Sequence, residues 1–153
     1  MAFPSNTGTK DFDLQRAWDH ARSWAGIIKR EASNARAMSA AGTLASVHVL
    51  AIASALGDAK IEFARVSSVP GLAAYAQAQV SDPALNIVAE FSNMTAAIDA
   101  TIGWIVTNFP KDAGGFLLAQ TILASGRTQD RVFTAAATET FRTQLDALIA
   151  TID

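Results

Sequence analysis

The sequence predicts an all-α fold: a bundle of four main helices plus one short crossover helix, with an excursion of either β-hairpin or loop character at 111–133. Three observations predict it. Apolar residues recur at alternating steps of four and three along four stretches, the spacing that turns one helix face toward its neighbours. Glycine, proline and serine signals separate these stretches. The chain has 153 residues, 50% of them hydrophobic, which suits one domain whose core needs no disulfide or metal.

Residues 1–10 contain Pro4, Ser5, Asn6, Thr7, Gly8 and Thr9 and are expected to form a flexible N-terminal arm before a single domain at 11–153. A first helix is predicted over about 11–38, with Leu14, Trp18, Ala21, Ala25, Ile28, Ala32 and Ala35 on its inner face and a mostly basic outer side. Gly42 suits a left-handed stop, and Thr43 is placed to cap the next helix. That second helix, about 43–66, carries Ala45, Val49, Ile52, Leu56, Ala59, Phe63 and Val66. So short a link predicts an antiparallel pair. Gly57 in its interior costs about 1 kcal/mol against alanine, which points to a close contact or a kink there.

Pro70 opens a short third helix with Leu72, Tyr75, Ala76 and Val80 apolar. The longest marked stretch follows, from the start signal Asp82-Pro83 to the stop at Pro110, with Ala84, Val88, Phe91, Thr95, Ile98, Ile102 and Ile105 as its stripe. Beyond it, Gly114-Gly115 and Ser125-Gly126 punctuate two β-tolerant runs. These form either a hairpin or an irregular loop packed on the bundle. A last helix from about Thr134 carries Thr138, Phe141, Leu145, Leu148 and Ile152.

The balance of charge excludes some functions. A net charge of −2 does not suit a general phosphate-backbone binder, so no sequence-specific nucleic-acid partner is expected. Residues 66–110 contain no Lys or Arg, and only Asp82, Glu90 and Asp99 are charged there, which places this span centrally in the fold or in an assembly. Only 17% of residues are charged, a low share for a solitary monomer, so a homo-oligomer is expected. The uncharged run at 37–57 is interrupted by Ser39, Gly42, Thr43, Ser46, His48 and Ser54, and no membrane partner is predicted. The first residues lack the basic and apolar blocks of a signal peptide.

Chemistry finds little purchase. There is no cysteine, hence no thiolate ligand, thiol nucleophile or disulfide. His20 and His48 are not at metal-ligand spacing, and His48 within an apolar helix reads as a satisfied core or interface histidine. Asp11 and Asp13 suit a helix start, where negative charge favours the macrodipole. Neither Gly-x-Ser-x-Gly nor a phosphate loop is present. No catalytic, cofactor-binding or metal-binding residue is predicted. The residues singled out are interface candidates: Trp24 with Arg30, Trp104 with Phe109, and Arg127, Asp130 and Arg131 as partners in salt bridges across a subunit contact. A competing reading is a helical enzyme or ligand carrier with a pocket near His48 and Trp104.

Four blocks carry a resemblance: the opening Met1-Ala2-Phe3-Pro4-Ser5, Val69-Pro70-Gly71-Leu72-Ala73-Ala74-Tyr75-Ala76-Gln77-Ala78-Gln79, Trp104-Ile105-Val106-Thr107-Asn108-Phe109-Pro110-Lys111, and the ending Leu145-Asp146-Ala147-Leu148-Ile149-Ala150-Thr151-Ile152-Asp153. With them the chain resembles small virion structural proteins of tailed bacteriophages. The resemblance implies a non-enzymatic virion component. Its most specific form is a head–tail connector adaptor, a helical subunit assembling as a ring, with portal, tail or capsid proteins as partners. A different capsid or tail assembly protein is the alternative. No binding residue is carried over, because these blocks are not functional motifs.

Overall fold

The computed structural model describes residues 7–109, 120–122, 128–130 and 132–152, with side chains placed for 13–109 and 132–152. It is an all-α helical bundle. The helices are α1 (Thr7–Ala41), α2 (Ser46–Ser68), α3 (Leu72–Gln79), α4 (Ile87–Asn108) and α5 (Glu139–Ile152), with a 3₁₀ turn at Ala136–Thr138 leading into α5. α1 packs on α2 and α5, and α4 packs on the same two, so α1 and α4 occupy opposite corners. Neighbours run antiparallel: Lys60 of α2 pairs with Asp99 of α4 at 2.7 Å while the later Phe63 meets the earlier Phe91, and Arg36 of α1 pairs with Asp146 of α5 while the earlier Arg22 lies beside the later Ile152. α3 touches α1, α2 and α4 at one end. β1 (Gln120–Ile122) and β2 (Thr128–Asp130) pair antiparallel, with Thr121 opposite Gln129.

α2 follows its sequence closely. Ala45 and all six helical members of the predicted stripe, Val49 to Val66, are buried. Gly42 is left-handed at φ 71° and ends α1 in a Schellman turn: the Thr43 N–H donates to the Met38 carbonyl at 2.9 Å, and the Gly42 N–H to the Ser39 carbonyl at 3.1 Å. Thr43 therefore closes α1 and does not cap α2. The residue before α2 is Ala45, whose N–H donates to His48 Nδ1 at 3.0 Å, half of a capping box.

Other expectations are corrected. α1 starts at Thr7, inside the span expected to be an arm, and residues 1–6 lie outside the described residues. α4 starts four residues past Pro83, because Asp82 spends its carboxylate on a local turn, accepting from the Ala84 N–H at 3.0 Å. Asn86 is the cap instead and accepts from the Ala89 N–H at 3.1 Å. The stripe of α4 is also rotated: Ile87, Phe91, Met94, Ile98, Thr101 and Ile105 are buried, whereas Val88 is 41% exposed and Thr95 and Ile102 sit at the flank. Thr101 tolerates burial because its hydroxyl donates to its own Ala97 carbonyl at 2.8 Å. Gly57 makes no close contact, since a Cβ there would meet nothing within 4 Å.

Two aromatic groups mark the two ends of the core. Near α3, Phe91 takes Trp18 and Phe63 edge-on at centroid distances of 5.7 and 5.1 Å. At the other end Trp104 stacks on Phe141 at 5.2 Å, and Phe109 packs edge-on against Trp104, Phe133 and Phe141.

Candidate functional site

The concave feature with the most varied chemistry lies where α5 stops. Ile152 at the end of α5 lies beside Arg22 and Ala25, and among the described residues α3 and the 80–86 loop border the space next to it between α1 and α4. Two hollows result. One, of about 440 Å³, lies between α1 and α3 and is lined by Gln15, Trp18, Arg22, Tyr75, Gln79 and Asp82 among others. The second, of about 320 Å³, has Ile87, Phe91 and Met94 of α4 in its walls and Ile152 at its upper edge. Arg22 and Leu85 line both, so the hollows are adjacent.

The sequence builds each wall locally. On α1, Arg22 stands one turn from both Asp19 and Trp18: it donates to Asp19 Oδ1 at 2.7 Å and holds its guanidinium 5.8 Å from the Trp18 ring centroid. Trp18 is only 7% exposed, so Arg22 covers a ring already packed into the core. Gly71, left-handed at φ 83°, turns the chain from α2 into α3 and brings Tyr75 and Gln79 alongside α1. The loop wall is pinned by one amide: Gln77 donates to the Leu85 carbonyl at 2.6 Å and accepts from the Ile87 N–H at 2.9 Å. One base faces three acids here, Arg22 against Asp19, Asp82 and Glu90, so the groove is acidic around an apolar floor.

The interface candidates fall elsewhere. Trp24 is half-buried against the core, while Arg30 is exposed with its guanidinium 3.8 Å from Glu31. Six positions apart on one helix, they point to different faces and form no common patch. Trp104 and Phe109 do meet, 5.3 Å apart, but within the aromatic group at the far end, where Phe109 is buried. Asp130 ends β2 opposite Gln120, and Arg127 and Arg131 lie outside the described residues. His48, proposed beside a pocket, spends its Nδ1 acceptor on the start of α2, and His20 is exposed. Among the described residues, no group of three or more His, Cys, Asp or Glu side chains is arranged to hold a metal, and no helix is long and apolar enough to cross a membrane.

The groove escaped sequence reasoning in part. Trp18, Asp19 and Arg22 at spacings of one helical turn are legible as a unit; their meeting with Tyr75 depends on how α3 folds back. Comparison with protein-family models, curated proteins and solved structures finds no match to this chain.

Proposed function

We propose that this chain is a non-enzymatic structural subunit that self-assembles through its helix faces, and, on its resemblance to virion proteins of tailed bacteriophages, a head–tail connector adaptor that forms a ring in the particle. The observation that supports self-assembly is the outer face of α2. Opposite its buried stripe, the helix carries Val47, Leu50, Ser54, Gly57 and Ile61, again at alternating steps of three and four. Val47 is 46% and Ile61 61% exposed, and the space beyond Gly57 is open. A helix in a solitary bundle needs one apolar stripe and gains solubility from a charged outer face. A second uncharged stripe with glycine at its middle suits a further helix approaching closely.

The deciding measurement is the mass of the purified chain by light scattering coupled to gel filtration across a wide concentration range. The expected result is a discrete oligomer, which Ile61→Glu converts to a folded monomer and which Gly57→Ala weakens. A monodisperse monomer at high concentration, inert toward portal and tail proteins, overturns the reading. The groove at the end of α5 favours a second reading, a small-molecule carrier. Native mass spectrometry of the purified chain tests it by the presence or absence of a retained compound.

A further inference from the structure

We infer that the outer face shared by α2 and α4 makes a two-fold contact with the same face of a second copy of this chain, in which Ile61 of each copy enters a hollow on the other. The inference rests on the self-assembly reading above and adds to it α4 and the symmetry of the contact. The hollow, of about 250 Å³, lies between the two helices and is rimmed by Ala64, Ser67 and Ser92, all exposed, with Thr95 part-buried at its edge. Phe63 and Phe91 close its floor and are buried, so the rim is the surface open to a partner. Roughly 150 Å³ is room enough for a group the size of benzene, and an isoleucine side chain fits. Ile61 is the most exposed large hydrophobic among the described residues, at 61%, and stands one turn before Ala64 of the rim.

Charge and area name the occupant. Lys60 and Asp99 join the two helices across this face at 2.7 Å and neutralise one another. Asp58, Glu62 and Arg65 fall at steps of four and three on the opposite flank of α2, and the last two line a hollow with Arg16 and His20 of α1. On α4, Val88, Ser92, Thr95, Asp99 and Val106 share the line facing α2, with Val88 41% and Val106 47% exposed, whereas Glu90 lines the groove on the other flank. Among the described residues this face therefore has no unpaired charge to repel its own copy, and none to hold a nucleic acid or a charged peptide. Two helices about 33 Å long and about 8–10 Å apart present on the order of 600 Å² per copy, or about 1,200 Å² for a pair, which reaches the range of stable interfaces. Knob and hollow lie on one face, so each copy both gives and receives. Such a contact is isologous, and assemblies built on it hold an even number of copies.

The test uses the full-length chain and leaves the stripe of α2 intact, with Ser92→Arg at the rim of the hollow and Val88→Glu one turn before it, both at exposed positions of α4. Mass against concentration is expected to give an even-numbered oligomer for the parent chain. Each substitution is expected to raise the concentration for half-assembly about tenfold or more, with thermal melts verifying the fold. Should one variant fail to fold, the other still reports. A thiol reads the symmetry separately. The chain has no cysteine, so Ala64→Cys introduces a single one beside the two-fold axis, and oxidation is expected to join copies into covalent dimers, whereas Ser33→Cys on the exposed side of α1 gives none. Three results overturn the two-fold contact and leave the assembly reading intact: an odd-numbered oligomer, an oligomer that Ile61→Glu dissociates but both α4 substitutions leave unchanged, or Ala64→Cys dimers no more abundant than those of Ser33→Cys. A parent chain that stays monomeric at every concentration overturns the contact and the self-assembly reading together.

Discussion

The two ends of this bundle are built from the same helices to different standards. At the α1–α2 turn the end is closed. Trp104, Phe109, Phe133 and Phe141 interlock, the Phe133 N–H donates to the Leu44 carbonyl at 2.9 Å, and Arg142 of α5 reaches across to Ser39 Oγ at 3.0 Å and the Ala135 carbonyl at 2.8 Å. At the α3 end, α3 and the 80–86 loop border the core among the described residues, and a groove lies between them and the long helices. The contrast is one of how completely each end satisfies its own groups. Groups that complete one another within the chain fix the closed end, while at the other end Tyr75 is part-buried and Arg22 exposed at the wall of the groove.

The largest expected difference comes from deleting an aromatic ring. Phe141 is fully buried and touches both Trp104 and Phe109, so Phe141→Ala removes the ring and leaves a cavity among rigid neighbours. A loss of about 3–5 kcal/mol in denaturant unfolding is expected. Arg22→Ala at the open end removes a largely exposed ion pair with Asp19 and should cost less than about 1 kcal/mol. Similar losses from the two would erase the distinction between the ends.

How much of this was legible follows from which partners are local. The inner stripe of α2 is legible residue by residue, because α2 meets α1 on one side and α4 on the other with a single stripe between them. α4 shares that position between α2 and α5, and two adjacent stripes satisfy the same spacing. Thr101 rather than Ile102 took the inner position, its hydroxyl satisfied within the helix. Asp82 before Pro83 is a better start signal in isolation than Asn86, yet Gln77 holds the 85–87 backbone, and that bond joins residues of two different elements. The Ser39–Arg142 contact spans 103 positions and leaves no periodic trace. The groove is hidden for a related reason: it is defined by how α3 and the 80–86 loop fold back beside α1 and α4, a fact of packing.

The polar clasp at the closed end sharpens the comparison at intermediate size. Ser39 is buried, its hydroxyl 2.5 Å from Thr138 Oγ1, and Arg142 supplies a further donor to it. Arg142→Met keeps the length of the side chain but removes the donors to the buried Ser39 hydroxyl and to the carbonyl of the part-buried Ala135. The expected cost is about 1–3 kcal/mol, with the greatest loss of hydrogen-exchange protection around Ala135 and the start of α5. An unchanged unfolding curve would make the clasp ornamental and leave that end to its aromatic rings and backbone bonds.

The finest test uses the two left-handed glycines, one at each end. Gly42 has φ 71° and Gly71 φ 83°; an added Cβ would meet the Ala135 nitrogen at 3.7 Å in the first case and Leu14 Cδ1 at 3.7 Å in the second, both ordinary contacts. The penalty of Gly42→Ala and Gly71→Ala is therefore set by backbone conformation alone, about 1–2 kcal/mol for each. Equal penalties should have unequal reach. Gly42 lies where α1, α2 and the segment before α5 converge, so its substitution is expected to lower the global unfolding free energy by nearly the full amount. Gly71 holds only the short α3, and relief is available by letting α3 detach from α1. Gly71→Ala should leave the global transition nearly in place while accelerating amide exchange across 72–79 and disrupting the Tyr75 wall of the groove. Equal global losses would mean that α3 folds as one unit with the bundle, and the open end would then be as firmly built as the closed one.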